Sequence, residues 1–129
     1  MKTNIVNSEL INKYFENPKL KELIIDFFNG KEFTDERIEI AKSTNDFSII
    51  EILSADENEK VRAYLAENTG CSEYVLDLLS NDINWEVRAN VAKNPNASIH
   101  ILERLRNDDD AAARVNVMDN PKWIKLRKT

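Results

Sequence analysis

The stretch that decides the fold is Val61–Glu86, VRAYLAENTGCSEYVLDLLSNDINWE, followed directly by Val87–Ala112, VRANVAKNPNASIHILERLRNDDDAA. Laid over each other without a gap, the two agree at ten of 26 positions. A third copy starts at Ala113 and keeps Arg114, Asn116, Val117, Asn120 and Pro121 in register. Upstream, RIEIAKSTNDFSIIEILSADENE (37–59) is a degenerate copy with one residue missing from its middle turn. Each copy reads as two short helices. The first carries Val61 and Leu65, then Val87 and Val91; the second carries Val75, Leu76 and Leu79, then Ile101, Leu102 and Leu105. Such i, i+3, i+4 spacings put one apolar stripe on a helix. Asn68-Thr69-Gly70, Asn94-Pro95 and Asn120-Pro121 stop the first helix, and Ser72 and Ser98 cap the second. A helix pair of this length cannot bury its stripe alone, but stacked neighbours can.

The expected fold is therefore all-α: a short α-solenoid of about three and a half two-helix repeats in a single domain. Residues 34–123 form the repeats. Residues 1–33 lack the period and are rich in large apolar residues such as Leu20, Leu23, Ile24, Phe27 and Phe28, which suits an N-terminal helical cap. Residues 124–129 form a basic tail.

Composition agrees. The 129 residues hold two Gly and three Pro, too few for the turns of a β-sandwich, with 32% charged residues. No apolar run approaches the ~20 residues of a membrane span, and the start, MKTNIVNSEL, has no secretory core. One Cys excludes a disulfide framework and fits a reducing compartment, so a cytoplasmic location is expected. Net charge is −5, but residues 111–129 alone carry five bases and one acid. An acidic body argues against unspecific nucleic-acid binding, which rests on Lys and Arg contacts to phosphate.

The pattern VRANVAKNPNASIHILERL resembles the leucine-rich repeat variant family of bacterial proteins, which is related to HEAT-type helical repeats. The family pattern is Val-Arg-x-x-Val-Ala-x-Asn-Pro, a polar turn, Leu-x-x-Leu and an Asp-containing link. The copy at Val87 matches nearly throughout. The copy at Val61 has Thr69-Gly70 where the pattern has Pro, and the copy at Ala113 has Ala for the first Val. The resemblance implies a right-handed superhelix of helices without a sheet. Some members carry an N-terminal iron–sulfur cysteine cluster; with Cys71 alone, that cofactor is not implied here.

The most regular polar feature is Asp56…Arg62, Asp82…Arg88 and Asp108…Arg114, spaced by six each time. HEAT-like repeats use a link Asp and a following Arg as a structural ladder, and the resemblance assigns that role to these six residues. Asn68, Asn94 and Asn120 sit where a side chain bonds turn backbone. His100 has no second His or activated serine beside it. Cys71 stands where Ala97 stands one copy later. Asp108-Asp109-Asp110 lacks the Gly and Glu of a calcium loop. No catalytic or metal-binding constellation and no cofactor motif emerges, and no enzyme activity is expected.

Exposed positions remain. Tyr64, Asn90 and Asn116 hold one place in successive first helices; Glu67, Lys93 and Asp119 hold another on the same face. Trp85 sits where the neighbouring copies have Glu59 and Ala111, and Trp and Tyr are favoured at binding hot spots. These seven residues are the candidate partner-binding surface. The expected function is a non-catalytic protein-binding module acting as a monomer, either an adaptor or a small acidic inhibitor of the immunity type. The alternatives are a HEAT-like nucleic-acid-binding or base-processing protein, which needs a basic groove, and a structural oligomeriser.

Overall fold

The computed structural model describes residues 33–128, and among them finds eight helices and no strand. They run α1 (Thr34–Ser43), α2 (Phe47–Leu53), α3 (Glu59–Glu67), α4 (Glu73–Leu79), α5 (Trp85–Lys93), α6 (Ile99–Leu105), α7 (Ala111–Asp119) and α8 (Pro121–Arg127). Successive helices pack on one another, and the odd-numbered helices also pack side by side, α1 on α3, α3 on α5 and α5 on α7. The expected cap, residues 1–33, lies outside the described residues except for Phe33.

Local chemistry sets each boundary. Asp46, Ser72 and Ser98 cap α2, α4 and α6 by accepting from the N–H three residues on. Asn58, Asn84 and Asp110 cap α3, α5 and α7. A good N-cap contributes about 1 kcal/mol to its helix. Between these caps, Ile49, Ile50 and Leu53 of α2, Val75, Leu76 and Leu79 of α4, and Ile101, Leu102 and Leu105 of α6 are buried. They meet Val61, Leu65, Val87, Val91 and Val117 from the odd-numbered helices in one core.

Three asparagines tie each helix pair to the one before. Asn94 Nδ2 donates to Ala66 O at 2.9 Å and to Asn68 O at 3.0 Å, while its Oδ1 accepts from Asn96 N–H. Asn120 repeats this on Ala92 O and Asn94 O, and Asn68 on Ala41 O and Thr44 O. The amides are buried and bond carbonyls at the end of the preceding first helix, where Asn68 O and Asn94 O also accept from the Cys71 and Ala97 N–H groups. The expected turn bond is present, but the same side chain also reaches back across the helix–helix junction.

The degenerate first copy differs in a specific way. Helix α1 is ten residues long against nine in α3, and Thr44 and Asp46 are two apart where Asn68 and Ser72 are four apart. One extra helical residue and a link shorter by two leave the net deletion of one seen in the sequence. The short link lies close to Gly70: a Cβ there would meet Thr44 O at 3.2 Å and Asn68 Oδ1 at 3.0 Å. Its equivalent Asn96 carries a side chain, which bonds Thr69 O.

At the other end, α8 runs through the boundary expected after residue 123 and includes most of the basic tail. Asn120 caps it directly, with Pro121 in the first turn. Trp123 takes the register of Cys71 and Ala97 and is buried, so a large ring closes the core where small residues serve internally. The indole N–H finds no protein acceptor among the described residues.

Candidate functional site

The arginine–aspartate ladder exists, but its pairing differs from the six-residue spacing. Arg62 Nε donates to Asp82 Oδ2 at 2.7 Å and Nη2 to Asp82 Oδ1 at 3.1 Å. Arg88 makes the same two-pronged contact with Asp108, at 2.8 and 3.2 Å. The acid six residues upstream supplies only its carbonyl: Arg62 Nη1 donates to Asp56 O at 2.6 Å, and Arg88 Nη1 to Asp82 O at 2.8 Å. Each arginine thus bridges the link behind it and the link ahead.

The reason lies in the aspartates. Asp56, Asp82 and Asp108 each accept on Oδ1 from the N–H two residues on, at the N-cap of the next helix. This turn directs the carboxylate at the preceding helix pair, away from its own helix. A further rung, Arg37 with Asp56 at 2.8 Å, has both side chains almost fully buried at 1% and 0% exposure. Sequence reasoning missed Arg37; the signal was its offset of 25 from Arg62, the same as Ile40 and Ala41 from Leu65 and Ala66.

Charge follows geometry. The Asp82 hydrogen bond raises the Arg62 pKa and the Asp108 hydrogen bond that of Arg88. Burial alone would raise Asp108. Hydrogen bonds from Arg88 and the Asp110 N–H, with the charges of Arg88 and Arg114, outweigh it and hold the carboxyl below its ordinary range. Cys71 is buried, its thiol donates to Leu65 O at 3.2 Å, and burial pushes its pKa to about 12. That environment suits a small packing group rather than a reactive thiolate.

The candidate partner surface divides. Tyr64, Glu67, Asn90 and Lys93 line one groove of about 370 Å³ between α3 and α5, together with Lys60 and Glu86. Lys42 lies 4.7 Å from the Tyr64 ring centre, and Lys93 pairs with Glu67 at 3.6 Å across the groove. Asn90 and Asn116 are less open than expected. Asn90 Nδ2 donates to Ala63 O and Asn116 Nδ2 to Ala89 O, both at 2.9 Å, so these half-buried amides tie α5 to α3 and α7 to α5. Replacing them disturbs helix packing as well as any surface. Asp119 is exposed on α7, outside the groove.

Trp85 is half exposed in the first turn of α5, next to Glu86 of the groove wall. Two residues before it, Ile83 is 94% exposed. Ile83 was not singled out from the sequence, although its equivalents, Glu57 and Asp109, are acids.

A second, open cavity of about 580 Å³ lies between α6 and α8, lined by His100, Glu103, Arg104, Arg106, Asn107 and Trp123. Arg106 sits over the Trp123 ring at 5.7 Å. Arg104 bridges back to Asp77, Ser80 and Asn81. Among the described residues no group of His, Cys, Asp and Glu has the arrangement to hold a metal ion. No described helix is long and apolar enough to cross a membrane.

Comparison with curated proteins and with solved structures finds no match. The family model described as leucine rich repeat variant matches residues 85–110, which hold α5, α6 and the Asp108 link, and bears out the resemblance drawn from the sequence.

Proposed function

We propose that the chain is a short right-handed helical solenoid that binds another protein and performs no chemistry of its own. Side-by-side packing of α1, α3, α5 and α7, with Asn and Arg ties recurring from pair to pair, supports the solenoid. The match to a repeat family supports an interaction module.

The observation that carries the binding reading is the link into α5. Ile83 and Trp85 stand in solvent at 94% and 50% exposure, where the neighbouring links have Glu57 and Glu59, or Asp109 and Ala111. The repeat does not require apolar side chains there, and large exposed apolar groups beside polar ones mark interaction surfaces. The adjoining groove adds Tyr64 and the Glu67–Lys93 pair, so the surface offers aromatic anchors inside a charged rim. An adaptor fits this surface, as does a small acidic inhibitor that covers a basic target.

The test is affinity capture from host lysate at low and high salt, comparing the natural chain with Ile83→Asp/Trp85→Ala. The expected result is one stoichiometric protein, lost with the double substitution while the melting temperature stays put. Salt-sensitive capture of a basic protein selects the inhibitor version. Recovery of nucleic acid alone, or capture indifferent to the substitutions, contradicts the reading.

A further inference from the structure

The arginine row ends on a guanidinium with one edge filled and the other open. Arg114 Nη1 donates to Asp108 O at 2.6 Å, as Arg88 Nη1 does to Asp82 O. That bond holds the inner edge as in the earlier rungs. Arg114 is exposed, and its Nε and Nη2, the atoms that in Arg88 grip Asp108, meet no carboxylate among the described residues. The positions beside it are open as well. Val115 and Met118 hold the register of Ala89 and Ala92, which are 3% and 0% exposed, yet they are themselves 56% and 41% exposed. The adjoining helix α8 carries Lys122, Lys125 and Arg127 and no acid.

We propose that this outer face of α7 docks an acidic amphipathic helix of a partner protein. A carboxylate of that partner accepts from Arg114 Nε and Nη2, and its apolar stripe covers Val115 and Met118. The molecule supplies the template for the occupant. The face of α5 is covered by residues 107–120, which deliver Asp108 to Arg88 and carry four aspartates against one arginine. The bases of α8 attract such a segment and repel the same end of a second copy. The open face also differs from the internal ones in a way that suits exchange. Ala63 and Ala89 allow the next asparagine to bond their carbonyls, whereas Val and Met hold an incoming helix farther out and meet it through side chains. Met adapts its shape to different partners. This docking shares with the proposed function only the premise of a protein partner; it uses neither Ile83 nor Trp85.

The test uses a helix-stapled peptide with the sequence of residues 107–120, titrated into the isotope-labelled full chain. NMR follows the Arg114 Nε–H and the Val115 and Met118 methyl groups. The expected result is saturable shifts at these three sites. Affinity falls at least about tenfold when the peptide carries Asp108→Asn or the chain carries Arg114→Gln, the loss of a charge-assisted contact. Arg114→Gln also gives up the bond to Asp108 O, so Val115→Ser, at an exposed position, is the second variant and weakens binding without altering the melting temperature. Binding that ignores both variants, or no saturable shift at millimolar peptide, overturns the proposal. Shifts confined to Ile83, Trp85 and the Tyr64 groove overturn it too, while leaving the proposed function intact. Self-association in light scattering that Arg114→Gln abolishes reassigns the face to a second copy and also overturns it.

Discussion

Arg37 and Arg114 hold equivalent places in the first helices of their copies, and their surroundings are opposite. Arg37 is sealed against Asp56 at 1% side-chain exposure, while Arg114 is exposed and, among the described residues, bonded at its inner edge alone. Between them the rungs open gradually: the Arg62 side chain is 14% exposed and that of Arg88 19%. One residue type at one register therefore spans a range from internal tie to surface group. What decides its role is whether a following link delivers a carboxylate and covers it.

Substitutions along the row sharpen that contrast. The largest effect belongs to Asp56→Ala, which takes the Asp56 carboxylate from the fully buried Arg37 guanidinium and removes the turn bond to Asn58 N–H. A loss of about 3–5 kcal/mol is expected in urea unfolding. A loss under 1 kcal/mol would break the distinction between the sealed and open ends. Next comes Asn94→Ala, which takes the side-chain donor from Ala66 O, leaves Asn68 O with the Cys71 N–H, and is expected to lower stability by on the order of 2 kcal/mol. Asn90→Ala removes one half-buried bond, and about 1 kcal/mol is expected.

Asp108 connects the row to pH. Its folded pKa lies below the ordinary value, so its contribution is complete above the unfolded pKa and disappears as pH falls through the folded one. Stability should decline below about pH 4, and Asp108→Asn should flatten that decline while lowering stability at neutral pH. The smallest effect belongs to Trp85→Ala, expected to shift stability by less than about 0.5 kcal/mol, because the ring is half exposed. A melting temperature that drops sharply would place Trp85 in the structure rather than on a binding surface.

Much of this was legible in the sequence because helices announce themselves locally. Ser72 and Ser98, the apolar stripes and the Asn stops each act within a few residues, and each appears where its spacing placed it. The ladder was legible as a set of residues but not as a set of pairs. A spacing of six in the chain suggested neighbours, whereas the Asx turn at Asp82 aims its carboxylate at Arg62, 20 residues back. Asn90 and Asn116 looked like surface polar groups because nothing local says that Ala63 and Ala89 leave room for an amide to reach a carbonyl. Ile83 passed unnoticed because a single apolar residue among turn residues has no period to betray it.

The measurement that bears most directly on this account is a double-mutant cycle on Arg88, pairing it once with Asp108 and once with Asp82. The bridging arrangement predicts a coupling of about 1–3 kcal/mol between Arg88 and the Asp108 side chain, and close to none with the Asp82 side chain, because Asp82 offers Arg88 only its main-chain carbonyl. Coupling to Asp82 with none to Asp108 would reverse the ladder, and with it the assignment of Arg114 as the open end.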